Sequence, residues 1–154
     1  MTDTPSPEMS NLPSTSVTEA QPLSAGDERT WAMLAHLSVL INLMTGFVGP
    51  IAALIIYLVY QNRSRYVAYH ALQSFVNQLV WWVGGGTIIG LAWAATGLLS
   101  FALIGLLCIP FACVITLMPL WSLVAGVWGA IETNAGRDFK YWLVGDWVRG
   151  TLTG

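Results

Sequence analysis

Long apolar stretches alternate along this chain with a few short polar ones. From Trp31 to Tyr60 there are 30 residues without a charged side chain, and from Tyr66 to Ile131 there are another 66. As one straight helix the first stretch would be about 45 Å long, against a hydrocarbon core of about 30 Å. Thr45-Gly46-Phe47-Val48-Gly49-Pro50 interrupts it, and Pro50 suits the first turn of a new helix after a glycine-containing turn. The pattern predicts a helical hairpin over 29–46 and 50–62. Its arms, about 20–25 Å each, either span a thinned bilayer or re-enter it.

The second stretch has room for two long helices or three ordinary spans. The basic residues decide between them. With a hairpin and then two spans, Arg29, Arg63, Arg65, Arg137, Lys140 and Arg149 all fall on one side. A third span would carry the last three to the opposite side, against the positive-inside rule. The expected fold is therefore all-α: a polytopic membrane bundle of four membrane helices in the cell (inner) membrane, both termini cytoplasmic. The two long spans are placed at 66–96 and 100–135, with a turn near Thr96–Ser100 and kinks at Gly84-Gly85-Gly86 and Pro110.

Composition agrees with this picture. Of 154 residues, 55% are hydrophobic and 9% charged, against roughly 25% charged in soluble domains. The mean hydropathy is +0.63. Residues 1–26 carry Pro5, Pro7, Pro13 and Pro22 among Ser, Thr and acidic residues. Such a segment has too little apolar surface to offset its ordering entropy and reads as a disordered tail. It lacks the basic start and apolar core of a signal peptide. Ser24-Ala-Gly-Asp27 has the spacing of a helix-start capping box. The membrane domain is expected over 27–136. The last segment, 137–154, alternates aromatic and charged groups, and Trp142 and Trp147 suit an interfacial anchor. A net charge of −2 and the lack of a basic patch leave nucleic acid out.

Within the uncharged run, one helix face is polar. At about 100° per residue His70, Gln73, Ser74, Asn77 and Trp81 form a single stripe, with Gln78 at its edge. Polar groups in hydrocarbon cost several kcal/mol unless they find partners. The stripe is therefore expected to meet the His36-bearing first helix, with His36 and His70 close together. It serves either as interhelical glue or as the lining of a wet pathway. Gly86, Gly90 and Ala94 recur every four residues, as do Ser122, Gly126 and Ala130. Such small faces let helices approach closely in lipid, here within the chain or between two copies.

No catalytic constellation is visible: no nucleophile lies beside a base, and no carboxylate pair lies in the apolar region. The expectation is a non-enzyme without metal or cofactor. Two histidines without a nearby acid or cysteine do not make a metal site, and Cys108 and Cys113 lack a second ligand pair. Both thiols are expected to be buried.

Three stretches and the chain's end resemble one family. Glu28-Arg-Thr-Trp-Ala-Met-Leu-Ala-His-Leu-Ser38 resembles its opening motif, Gly49-Pro50 its hairpin turn, and Tyr69-His-Ala-Leu-Gln-Ser-Phe-Val-Asn-Gln78 its histidine–glutamine motif. Ala130-Ile-Glu-Thr-Asn-Ala-Gly-Arg-Asp-Phe-Lys-Tyr141 resembles its ending, although Trp142 stands where that family usually has proline. The chain thus resembles, over 28–142, the bacterial Tic-twenty-like family of small four-helix membrane proteins, similar to a chloroplast translocon subunit. The resemblance implies protein transport or membrane-complex assembly, with membrane-protein partners or a homo-oligomer besides the lipid bilayer. The alternative class is a small-solute or proton pathway lined by His36, His70, Gln73 and Asn77.

Overall fold

The computed structural model of the chain describes residues 22–153. Every regular element among them is a helix. Most of the tail expected over 1–26 lies outside the described residues.

Helix α1 (Ala25–Leu37) starts on Ser24, whose Oγ accepts the Asp27 N–H at 3.2 Å and donates to Asp27 Oδ2 at 2.7 Å. This cap satisfies an otherwise orphaned donor and sets the start ahead of the predicted residue 29. The chain then tightens into a 3-10 turn, Ser38–Ile41, and closes with Asn42–Thr45. Gly46 adopts φ 80°, a conformation that a side chain disfavours. The reversal leads into α2 (Val48–Tyr60), in which Pro50 occupies the first turn. Gly49 is needed there for a different reason. Its N–H donates to Asn42 Oδ1 at 2.7 Å, and a Cβ would stand 2.5 Å from both Gln78 Oε1 and Ser38 O.

Helix α3 (Arg65–Ser100) has 36 residues, about 54 Å of helix, so its length exceeds a hydrocarbon core unless it tilts or begins below one. Ser64 caps it, accepting the Val67 N–H at 3.2 Å and donating to Glu28 Oε1 at 2.5 Å, which ties its start to α1. The distortion expected at Gly84–Gly86 begins earlier and ends on the first of them, as a widened π turn over Leu79–Gly84. The helix also runs past the predicted turn. Thr96 Oγ1 bonds to Ala92 O and Ser100 Oγ to Thr96 O, each at 2.8 Å, so these polar side chains satisfy themselves on their own helix. The reversal is instead made by the apolar residues 101–104, where Leu103 has φ 61°.

Helix α4 (Gly105–Asn134) has 30 residues. It passes through Pro110 without interruption, and the break falls at Leu117, ahead of Pro119. Pro119 lacks an N–H and crowds the preceding turn. A short helix α5 (Gly145–Thr153) ends the described chain. Helices α3 and α4 are both long and apolar enough to cross a membrane.

Two regions result. In the proximal region α2 packs along Arg65–Gln78, α1 fits between that segment and the Met118–Asn134 part of α4, and α5 closes onto the start of α3. In the distal region Gly85–Ser100 and Gly105–Thr116 pack chiefly against each other. One polar bond, Trp93 Nε1 to Thr116 Oγ1 at 2.9 Å, fastens that hairpin across its arms.

Candidate functional site

The polar stripe of α3 is turned into the proximal bundle. His36, His70, Gln73 and Ser74 are each fully buried, and Gln78 and Asn77 nearly so. Their bonds can be followed from backbone anchors outward, which fixes the direction of each donor.

Gln73 provides the first anchor. Its Nε2 donates to Phe139 O at 2.9 Å, and its Oε1 accepts the Tyr141 N–H at 3.3 Å. These two backbone groups orient the amide, so the bond of Nε2 to His70 Nδ1 at 2.9 Å makes that ring nitrogen an acceptor. His36 Nε2, 3.2 Å from the same nitrogen, must then be the donor. His36 Nδ1 is left to accept from the Tyr141 hydroxyl at 3.0 Å. Burial pushes the pKa of Tyr141 up, which keeps the hydroxyl a neutral donor. Phe139 and Tyr141 flank the His36 ring, both with centroids at 5.4 Å.

The second anchor is Ala35 O, which accepts from Ser74 Oγ at 2.7 Å and Ser38 Oγ at 2.8 Å. With both hydroxyls donating there, Gln78 Nε2 is the donor to Ser38 Oγ at 2.9 Å and to Ser74 Oγ at 3.2 Å. Gln78 Oε1 accepts from Asn42 Nδ2 at 3.1 Å, and Asn42 Oδ1 holds the Gly49 N–H. The network thus joins α1, the hairpin turn, α3 and the 139–141 segment. Its relay-competent stretch is short, Tyr141 to His36 to His70. A carboxamide does not hand a proton on, so Gln73, Gln78 and Asn42 close it off.

The two small-residue faces fare differently. Ser122, Gly126 and Ala130 are buried, and a Cβ on Gly126 would stand 2.5 Å from Val39 Cγ1 and 3.1 Å from His36 O. Gly129, one position off that face, is equally tight, 2.9 Å from His36 Nδ1. Gly86, Gly90 and Ala94 are instead exposed, and a Cβ on either glycine would meet nothing within 4 Å. Among the described residues nothing packs closely on this face at its two glycines, since α1 and α2 pack against the Arg65–Gln78 part of α3. The cysteines also depart from expectation: Cys113 is exposed and Cys108 half-buried.

Ser38, Asn42 and Tyr141 were not singled out by the sequence pattern. Asn42, seven residues before the glycine it caps, is the one with a local signal; Tyr141 lies 105 residues from its partner His36. Among the described residues no group of three or more His, Cys, Asp or Glu side chains could hold a metal ion. Each described acid has a polar partner: Asp27 with Ser24, Glu28 with Ser64, Glu132 with Arg137, Asp138 with Arg149 and Asp146 with Lys140.

The class is thus a small all-α protein with two helices fit for membrane insertion and a buried polar seam. Residues 27–148 match the MamF/MmsF family, described as a magnetosome magnetite crystal formation protein family, and the chain belongs to it. This assignment replaces the Tic-twenty-like resemblance. The motifs behind that resemblance contain His36, His70, Gln73 and Gln78, which the structure brings into the buried seam. No curated protein and no solved structure matches the chain.

Proposed function

We propose that this protein is a non-enzymatic, multi-pass component of the magnetosome membrane that acts in magnetite crystal formation through partner proteins. Four helices enter the bilayer: the α1–α2 hairpin from one side, and α3 and α4 as full spans. Both termini face the cytoplasm, where the positive-inside rule puts the six basic residues.

The observation that carries this reading is where the polar groups go. Most buried polar atoms of the seam bond to one another or to backbone, His70 Nε2 and Asn77 Nδ2 being left without a partner among the described residues, and the described carboxylates are each paired. Among the described residues neither set presents a group of three or more His, Cys, Asp or Glu side chains that could hold a metal ion. What the protein does present is apolar helix: Leu91, Leu98, Leu107, Phe111 and Val114 are all more than two-thirds exposed on the distal hairpin. Such a surface suits lipid and the transmembrane helices of other proteins.

Crosslinking in native membranes followed by mass spectrometry tests the proposal. The expected result is a reproducible membrane-protein partner joined to the distal hairpin. A protein that stays uncrosslinked while magnetite formation proceeds normally would contradict it.

A further inference from the structure

The geometry points to a binding site for a phosphate group at the junction of α3, the 138 region and α5, filled by the phosphodiester headgroup of an anionic phospholipid. A cavity of about 330 Å³ opens there, lined by Arg65, Tyr66, Tyr69, Asp138, Arg149 and the end of α5.

Charge and donor geometry both favour an anion. Two guanidinium groups face one carboxylate, which leaves one positive charge to match the single negative charge of a phosphodiester. Arg149 spends one nitrogen, Nη2, on Asp138 Oδ2 at 2.7 Å and on the Tyr69 hydroxyl at 3.2 Å, with its guanidinium carbon 4.9 Å from the Tyr69 ring centre. Arg65 spends Nη2 on Leu152 O at 2.8 Å. Each fork therefore keeps further N–H donors for the bidentate contact that phosphate accepts.

A second observation lies behind the cavity wall. Tyr66 and Tyr69 flank the His70 ring, with centroids at 4.4 and 5.1 Å. His70 is fully buried, its Nδ1 is taken by Gln73 and His36, and its Nε2 has no partner among the described residues. A buried donor without an acceptor is costly, and this one belongs to a ring that packs against two of the cavity's tyrosines. The cavity also lies at the first residue of the candidate span Arg65–Ser100. That is headgroup depth, where basic pockets beside membrane helices take anionic lipid. The inference rests on the membrane placement of α3 given under the proposed function, and not on the role in magnetite formation or on protein partners.

The test is thermal unfolding of the full chain in neutral detergent, titrated with phosphatidylglycerol, phosphatidylcholine or inorganic phosphate. Phosphatidylglycerol is expected to raise the midpoint by roughly 5 °C at saturation, and phosphatidylcholine to leave it in place. Arg65→Gln with Arg149→Gln should abolish most of that rise, whereas Arg137→Gln, outside the cavity, should keep it. If the double variant does not fold, Arg65→Gln alone carries the test through the same loss of shift. An equal rise with inorganic phosphate would assign the site to soluble phosphate. No rise with either anion, or an undiminished rise in the arginine variants, would overturn the proposal.

Discussion

The proximal and distal regions are built from the same two helices, yet they are held together by different physics. Near the Arg65 end of α3, three further segments cover the helices, and the contacts are polar, directional and close. Beyond Leu79, among the described residues, the same helices pack chiefly against each other, through apolar side chains and an indole–hydroxyl bond. In lipid, apolar surface gains little by leaving the bilayer's own hydrocarbon, so packing and hydrogen bonds hold helices together. The proximal region therefore carries the specificity of the fold, and the distal hairpin is the part left open to other molecules.

Glycine substitutions should divide along this line, and the largest effect belongs to Gly49. Gly49→Val places a branched side chain against Gln78 Oε1 and Ser38 O, and overpacking of this kind costs about 3 kcal/mol or more. The expected outcome is loss of monodisperse protein on size-exclusion chromatography in detergent. Next comes Gln73→Leu, which strips partners from Phe139 O, the Tyr141 N–H and His70 at once. Leaving buried groups unpaired costs about 1–3 kcal/mol each, so the denaturation midpoint should fall well below that of the native protein.

Gly129→Ala should be destabilising by about 1–3 kcal/mol, since its Cβ would meet Phe139 and His36. Gly90→Ala on the distal hairpin should have the opposite sign, stabilising the isolated protein by up to about 1 kcal/mol through helix propensity. If the two alanine variants shifted the midpoint equally, the contrast between the regions would be wrong. Smallest of all, Arg137→Gln removes an exposed ion pair to Glu132 and should leave the midpoint unchanged, because such pairs contribute little.

These residues also show how much could be read in advance. The polar stripe from His70 to Gln78 was legible because a helix repeats every 3.6 residues, and its encounter with His36 followed from the hairpin. Tyr141 was not, since its role depends on a contact 105 residues away in sequence, and Asn42 offered only its spacing to Gly49. The small-residue faces carry the same lesson. Gly86-x-x-x-Gly90 and Ser122-x-x-x-Gly126 have one spacing and two fates, decided by how far α1 and α2 reach along the longer helices. The turn moved from Thr96–Ser100 to 101–104 because hydroxyl groups that bond back to their own helix do not stop it. The family was misread from these motifs, and its assignment rests instead on the match over 27–148.

The central claim is that the polar seam of the proximal region is packed dry, as structural glue. Cysteine labelling in native membranes tests it most directly, in a Cys108→Ala, Cys113→Ala background. Ser74→Cys replaces a fully buried seam residue, and Asn62→Cys places a thiol in the exposed loop before α3. The account predicts that a water-soluble maleimide with access to both membrane faces labels Asn62→Cys rapidly and leaves Ser74→Cys unlabelled until the protein is unfolded. Comparable labelling of both in folded protein would mean that the seam is wet, and would contradict it.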